Sequence, residues 1–496
     1  MGLSLDQLAG SIDGAYAVGD CNVVDLTHDS RQVNTGWLFC ALRGERDGHD
    51  FALDAVAAGA SGLVVDHVLD LPVPQLVVPS VRQAIGPLAS AVHGHPSRLL
   101  TVVGITGTNG KTTTAHLCNA ALSTESVPAG LIGTVETRTG RTNRPSMLTT
   151  PQAPDLQRML AEMLGAGMSY AVMEVSSHGL EQRRVDGTWF SLGVFMNLGA
   201  EHLDYHGTIE QYYAAKAQLF EPSRCGRALV CLDDAWGRRL AHQIAVPVVT
   251  FGQSPDADVH VELGSSDLRG TAVSLHGAGV DADLWAPVVG ECNAANIAAA
   301  YLAAVVLGSD PDVASRNIAS TPPVPGRFQV IDGTQPFLVV VDYAHTADAL
   351  AERLATSRRL APGGGRLRLV VGARGGRDRT KRQDLGRAAA AADEVFLTTD
   401  SSGRESSLAI IEEVRLGTLA QTSCEVLIEP DRRLAISRAI ARSQPGDVVL
   451  ITGRGHESTQ HEGETLILLD DREAARSALT ALGYLPLPCP AGQGAS

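Results

Sequence analysis

Leu100-Thr101-Val102-Val103-Gly104-Ile105 runs directly into Thr106-Gly107-Thr108-Asn109-Gly110-Lys111-Thr112-Thr113-Thr114, and an Ala/Leu-patterned stretch follows to about Leu122. The apolar run, beginning near Leu99, reads as a buried strand, and the pattern after it predicts a helix. Glycines between the two let the backbone turn tightly, so that its N–H groups face an anion at the helix N-terminus. Lys111 can reach outer phosphates there, and the Thr112 hydroxyl can ligate Mg²⁺. The strict G-x-x-x-x-G-K-[ST] pattern fails at one position, because Ile105 stands where its first Gly belongs. The bland alternative is a Gly-rich turn with a stray lysine. Strand, glycines, Lys-Thr and helix together favour the phosphate loop.

The same alternation extends through most of the 496 residues. Short Val/Ile/Leu runs recur at 62–65, 76–78, 170–173, 192–196, 337–341, 367–371, 394–397 and 447–451, with Ala-rich helical stretches between them. Such runs, bounded by Gly, Pro or Asp, read as parallel strands of α/β domains. One boundary lies at Gly94-His95-Pro96-Ser97 and another in the Pro-rich Ser320-Thr321-Pro322-Pro323-Val324-Pro325-Gly326. Three domains result: 1–97, 98–325 and 326–488, with a disordered tail at 489–496. The polar, strand-like stretch Gly252–Asp283 reads as an antiparallel insertion at the edge of the middle domain.

Composition narrows the partners. A formal net charge of −15 argues against a chain that coats nucleic acid or anionic membrane, because such binding is dominated by cation–phosphate contacts. The N-terminus lacks the basic and apolar regions of a signal peptide, and the most apolar stretch, about Ala294 to Leu307, is too short to span a bilayer. No membrane insertion and a cytoplasmic location are therefore expected. Eight scattered Cys without a C-x-x-C pair indicate reduced thiols rather than a zinc knuckle or disulfide framework. Of the 40 basic residues 37 are Arg, and the only lysines are Lys111, Lys216 and Lys381.

A phosphate loop needs a carboxylate on a neighbouring strand to hold the metal. Glu174 ends the run Tyr170–Met173; alone it is a rim charge, but beside the loop it is a metal-ligand candidate. His202 and His206 stand four apart, yet no third ligand follows at a zinc spacing and the H-E-x-x-H arrangement is missing. Lys216 lies in a predicted helix, Thr208–Phe220, where a lone lysine normally snorkels to solvent. In a chain that uses Arg for surface charge that reading weakens, since an amine does chemistry that guanidinium does not.

Together these motifs resemble the Mur ligase superfamily and, within it, the MurE type, over about Asp29 to Asp471. Asp29-Ser30-Arg31, Gly36-Trp37-Leu38-Phe39 and Asp47-Gly48-His49 are similar to its N-terminal UDP-sugar domain. Thr106–Thr114 resembles its ATP loop, and Thr149-Thr150-Pro151, Glu174–Gly179 and His202–Gly207 its central domain. Gly326-Arg327, Val341–Thr346 and Gly453-Arg454-Gly455-His456-Glu457 continue the likeness in order.

The resemblance implies an N-terminal UDP-sugar-binding domain, a central P-loop ATPase domain and a C-terminal Rossmann-like domain. It implies ATP and Mg²⁺ as cofactors, with UDP-MurNAc-dipeptide and a free amino acid as partners. ATP would be held by Gly107, Thr108, Asn109, Gly110, Lys111, Thr112, Thr113, Asn293, Asn296, Arg327 and Asp342. Catalysis would fall to Lys111, Glu174, His202 and Lys216; Thr112, Glu174, His202 and Lys216, the last as a carbamate, would hold metal. Ser30, Thr149, Thr150, Ser176, Gln182 and Arg184 would contact the dipeptide substrate, and Arg377, Asp400, Arg404, Gly453 and Glu457 the amino acid. The implied reaction phosphorylates the free D-Glu carboxylate, and the amine of an incoming diamino acid, meso-2,6-diaminopimelate or a related one, attacks the acyl phosphate.

Departures from the pattern keep other readings open. The third-domain motif G-G-D-R-D-x-x-K-R-P appears as Gly375-Gly376-Arg377-Asp378-Arg379-Thr380-Lys381-Arg382-Gln383, and D-N-P-R as Asp400-Ser401-Ser402-Gly403-Arg404. Glu201 replaces the usual Asp, and Met196 a Thr. A paralogous ligase using a different amino acid or acyl acceptor, and a non-catalytic nucleotide-binding regulator, are the alternatives. Intact Lys111, Thr112, Glu174, His202 and Lys216 argue against the regulator.

Overall fold

The computed structural model describes residues 2–140, 142–361, 364–376, 378–419 and 424–486. The tail expected to be disordered and Arg377 lie outside them. The chain is α/β and forms two compact units. The first comprises Met1–Leu263, Val273–Trp285 and Ala294–Thr321, and the second Gly264–Ala272, Ala286–Asn293 and the remainder from Pro322.

The first unit holds, besides the two-stranded pair Leu3–Ser4 and Asn22–Val23, two large sheets. In the N-terminal one, strands Asp25–Thr27, Trp37–Cys40, Gly62–Val65 and Gln75–Val77 pair in parallel, and Tyr16–Val18 closes one edge antiparallel. Successive side chains point to opposite faces. Leu38, Cys40, Val64 and Leu76 therefore pack with Leu5, Leu8 and Leu88 on one face, while Phe39, Leu63, Val65 and Val77 pack with Ala52 and Ala55 on the other.

The central sheet is built on strands Ala129–Ile132, Tyr170–Glu174, Thr101–Thr106, Leu192–Phe195, Ala228–Cys231 and Val248–Gly252, parallel and in that spatial order. Thr101–Thr106 comes first in the chain yet lies inside the sheet, so the connections diverge to either side of it. Such a switch point leaves a crevice at the carboxyl ends of the strands, where ligands bind in open α/β sheets. The polar stretch after Gly252 forms strands Val259–Asp267, Gly270–Gly277 and Val280–Ala286 at one edge, joined by two-residue turns, as its pattern predicts.

Two local details differ from expectation. The strand begins at Thr101 rather than Leu99, because Pro96 opens a short helix, Pro96–Leu99, that ends with Leu99 exposed. The helix predicted over 208–220 is an α-helix, Ile209–Ala217, capped by Thr208, whose last turn tightens into the 3₁₀ segment Gln218–Phe220.

In the second unit, strands Leu338–Val341, Val448–Ile451, Leu367–Val371, Glu394–Leu397 and Glu425–Ile428 form a parallel sheet, with Gln329–Val330 antiparallel at one edge. Leu367, Leu369 and Val371 face helices Ala347–Leu360, Thr380–Ala389 and Ser407–Thr418. Val370, Val449 and Ile451 face Arg432–Ala441 and Asp471–Ala481. Both faces are covered, which accounts for strands that read as continuous apolar runs. Among the described residues no helix is long and apolar enough to cross a membrane.

Candidate functional site

The loop after Thr101–Thr106 turns at Gly107 and Gly110 and enters the helix Lys111–Leu122. Gly110 has φ +87°, and a Cβ there would meet Asn296 Oδ1 at 2.4 Å, so both conformation and space demand glycine. Ile105, the departure from the strict motif, is a fully buried strand residue, and the turn is made two positions later. Asn197 braces the loop: its Oδ1 accepts from Asn109 N at 2.8 Å and its backbone carbonyl from Thr108 N at 2.9 Å.

Parallel register sets Glu174 beside Ile105, at the carboxyl end of the neighbouring strand. The Glu174 side chain is buried, and its oxygens accept from Thr112 Oγ1 at 3.0 Å, Thr134 N at 2.7 Å and Thr134 Oγ1 at 3.0 Å. All three donors are neutral. Lys111 Nζ donates to Gly107 O at 2.7 Å and Thr108 O at 2.9 Å.

Lys216 reaches the same carbonyl from the other side, donating to Gly107 O at 2.9 Å. It is 1% exposed and stands 4.5 Å from the Tyr212 ring centroid. Burial above all, then the nearby Lys111, push its pKa well below the ordinary lysine value, with Glu201 opposing. Burial of this kind favours the neutral, nucleophilic form of an amine. Tyr212 also hydrogen-bonds Thr108 Oγ1 at 3.2 Å, tying the lysine's helix to the loop.

His202 caps the short helix Leu203–His206 in the left-handed conformation, φ 56°. Burial, opposed by Glu201 and reinforced by His178, Lys111 and Lys216, pushes its pKa down to about 4. Its ring meets His178 edge-on, 4.8 Å between centroids, and His178 also packs on Tyr205 at 4.2 Å. His206 does not pair with His202 as a helical metal clip does; its Nε2 lies 2.9 Å from Ser177 Oγ.

Thr149, Thr150, Ser176, Gln182 and Arg184 lie in a chain of hydrogen bonds. Thr149 Oγ1 and Thr134 Oγ1 are 3.0 Å apart, and Thr150 Oγ1 lies 3.0 Å from both Ser176 Oγ and the Glu174 carbonyl. Arg184 donates to Thr150 O at 3.0 Å and twice to Gln182 Oε1, at 3.1 and 2.6 Å. Ser30 opens a 3₁₀ turn capped by Asp29, next to His28, a residue that feels the charge of Arg184. Asn296 accepts from Thr114 Oγ1 at 3.1 Å.

The second unit carries its own cluster. Asp342 is buried and accepts from Phe328 N at 2.6 Å and Ala344 N at 2.8 Å, with Arg353 Nε 3.5 Å away. Arg327 stacks 4.5 Å over the Tyr343 ring, and Asn293 donates to Val289 O at 2.9 Å. Arg374 Nη2 donates to both carboxylate oxygens of Glu457, and its Nε stands 3.7 Å from the buried Asp400. Burial opposes the Arg374 charge, but Asp400, Tyr343 and Glu457 raise its pKa further. Gly453, at φ +106°, passes so close to Asp400 that a Cβ would lie 3.3 Å from Oδ2. Arg404 is exposed one residue beyond Gly403.

Sequence reasoning missed Thr134, Asn197, Tyr212 and Arg374. Tyr212 stands one helical turn before Lys216, a signal that could have been read; Thr134 lies 40 residues from Glu174 and carries no motif of its own.

Residues 105–304 match the Mur ligase middle domain and residues 326–455 the Mur ligase glutamate ligase domain. The UDP-N-acetylmuramoyl-L-alanyl-D-glutamate–2,6-diaminopimelate ligase of Streptomyces avermitilis is 42% identical over 490 residues, 96% of either chain. This chain belongs to the Mur ligase family. Within it, the chain is of the MurE type. The 2,6-diaminopimelate ligase of Streptomyces coelicolor is 41% identical, again over 96% of both chains. A solved 2,6-diaminopimelate ligase structure, 32% identical, aligns with 97% of this Mur ligase and 100% of its own chain at a TM-score of 0.67.

Proposed function

We propose that this chain is an ATP-dependent amide ligase of peptidoglycan precursor synthesis, joining meso-2,6-diaminopimelate to UDP-MurNAc-L-Ala-D-Glu. The observation that carries this reading is the arrangement at the switch point: Lys111 and Lys216 converge on the Gly107 carbonyl, beside Thr112 bonded to Glu174. The full-length relatives named for that substrate and amino acid support its specificity. Residues 1–97 would carry the UDP-sugar site, 98–325 the ATP site and 326–488 the amino-acid site, in the cytoplasm.

The donor set suits Mg²⁺. Glu174 is a buried carboxylate with three neutral donors, and a hard cation prefers such oxygen ligands together with the Thr112 hydroxyl. Bound there, Mg²⁺ supplies Lewis-acid stabilisation of the transferring phosphoryl group. His202, kept neutral, offers a lone pair, and the neutral Lys216 amine can add CO₂ to become a carbamate, releasing a proton. Loop N–H groups from Gly107 to Thr113 bind phosphate, and Lys111 leaves its two carbonyls to neutralise the outer phosphates.

Thr149, Thr150, Ser176, Gln182 and Arg184, with Ser30, orient the D-Glu carboxylate toward the phosphate. Asn293, Asn296, Arg327 and Asp342 serve the nucleotide, and Asp400, Arg404, Gly453 and Glu457, with Arg377, the amino acid. The D-Glu carboxylate oxygen attacks the γ-phosphorus of ATP and ADP leaves. The amine then attacks the acyl carbon, phosphate departs, and the amine proton passes to solvent or a basic group. Positioning of this kind converts two bimolecular encounters into one bound complex.

The test is ADP release from ATP and Mg²⁺ with UDP-MurNAc-L-Ala-D-Glu across a panel of amino acids. Release dependent on 2,6-diaminopimelate is expected. Turnover only with another amino acid would favour the paralogue, and none with any would favour the regulator.

A further inference from the structure

His49, Asp66 and His67 converge at the carboxyl ends of strands Trp37–Cys40 and Gly62–Val65 in the N-terminal sheet, the edge where open α/β sheets take ligands. One donor atom from each lies within 4.8 Å of the others, the one such group of three His, Cys, Asp or Glu among the described residues. His49 Nε2 stands 3.2 Å and His67 Nδ1 2.6 Å from the same oxygen, Asp66 Oδ1, and the two rings stack at 4.8 Å.

The hydrogen bonding around His49 selects its tautomer. Asp47 Oδ1, which also accepts from the His49 backbone N–H at 3.0 Å, lies 2.6 Å from Nδ1 and takes its proton-bearing side. Asp66 N–H points at Nε2, 3.4 Å away, so Nε2 faces this corner with its lone pair. This lone pair and the carboxylate oxygen 3.2 Å from it, met by the Asp66 N–H and by Arg43, offer a cation two donors at once. A carboxylate on the far nitrogen is also the usual partner of a metal-bound imidazole, since it fixes the ring and strengthens the donor.

We propose that His49 Nε2, His67 Nδ1 and Asp66 form a binding site for a divalent transition metal of the zinc class, with water completing a tetrahedron. An ion about 2.1 Å from each donor sets neighbouring donors roughly 3.4 Å apart, close to the His49–Asp66 separation. His67 must open by under 1 Å from its present hydrogen bond. Its side chain is more than half exposed, which leaves solvent space on one side of the ring as it turns toward His49 Nε2. On binding, its Nδ1 proton moves to Nε2 and the metal takes the vacated lone pair. Arg43 pairs with the other oxygen, Asp66 Oδ2, at 2.9 Å and contacts Oδ1 at 3.1 Å, leaving the local charge of Asp47, Asp66 and Arg43 at minus one. Two nitrogens and one carboxylate favour zinc, cobalt or nickel over magnesium, which takes oxygen donors.

Cobalt titration of the full-length chain, read by visible ligand-field absorbance, and zinc titration by calorimetry test the site. One equivalent with tetrahedral cobalt bands is expected, weakened by a hundredfold or more in His67→Ala and by about tenfold in Asp47→Asn, which keeps all three ligands. Zinc is expected to raise the melting temperature of the parent chain and not that of His67→Ala. Because His67 is exposed, the variant's own melting curve without metal should match the parent's. Equal stoichiometry and affinity in parent and His67→Ala, or no binding at millimolar cobalt and zinc, would overturn the proposal.

Discussion

The phosphate loop and the Arg374–Glu457 cluster handle charge in opposite ways. Around the loop, Glu174 is held by hydroxyl and amide donors, and both lysine amines rest on backbone carbonyls. Around Glu457 and Asp400 the opposite charges are already paired, through Arg374 and, at 3.7 Å from Asp400, Arg454. The first region meets its carboxylate with neutral donors and its lysine amines with backbone carbonyls; the second pairs opposite charges with one another. Sequence departures follow the same division. The loop strays from its pattern at one strand residue, whereas Gly375–Gln383 and Asp400–Arg404 stray at several positions. Changes in the first region should therefore strike turnover, and changes in the second the choice and affinity of the amino acid.

The largest effect is expected at Lys216. Lys216→Met should lower kcat by 10³-fold or more, the upper range for losing one preorganised electrostatic group. The same change should stabilise the fold. In CO₂-free buffer at neutral pH, the unfolded lysine binds a proton that the buried folded amine does not, and this penalises folding. Because the folded pKa is depressed, the penalty is present at neutral pH and fades as pH rises toward the ordinary value of 10.5. Melting curves should show the variant above the parent at pH 7, with the gap narrowing by pH 10; a lower variant melting temperature at both pH values would contradict a neutral buried amine.

Glu174→Gln keeps the shape and removes the charge. It should cost about 10²–10³-fold in kcat. Its melting temperature should change little, since the amide oxygen still accepts from Thr134 N and the Thr112 and Thr134 hydroxyls can turn to accept from the new NH₂; steady-state rates set beside a melt separate the two.

Arg374→Ala should act on the other side of the comparison. Without its Arg374 partner, Glu457 loses a fixed orientation, so KM for the amino acid should rise by about tenfold, one lost charged contact of roughly 1.4 kcal/mol. KM for ATP should stay within about twofold. An equal rise in both would remove the distinction between the regions. The smallest effect is expected for Tyr212→Phe, which deletes the hydroxyl bonded to Thr108 while keeping the ring under Lys216. Loss of one neutral hydrogen bond, about 1 kcal/mol, should slow turnover by only a few fold.

The parallel strands were legible because both faces of each sheet are buried, and burial on both faces leaves an uninterrupted apolar run. The loop was legible for a local reason: strand, glycines, Lys111 and helix are contiguous. Leu99 was misread because the turn begun by Pro96 overrides an apolar pair. Partners brought together by tertiary folding left no local mark. Thr134 reaches Glu174 and Asn197 reaches the loop because the parallel register sets their strand ends side by side, while Ser177 meets His206 through the two short helices that carry them. The spacing of His202 and His206 suggested a helical pair, but His202 adopts φ 56° and caps the helix instead of lying within it. Arg374 stands just before Gly375-Gly376, outside the altered motif.

The most direct measurement of the central claim is the mass of the product formed from UDP-MurNAc-L-Ala-D-Glu, ATP and Mg²⁺ with equimolar meso-2,6-diaminopimelate and L-lysine. The account predicts a single new species bearing one diaminopimelate, with one ADP released per molecule formed. A lysine adduct as the main product, or ADP release without any new amide, would contradict it.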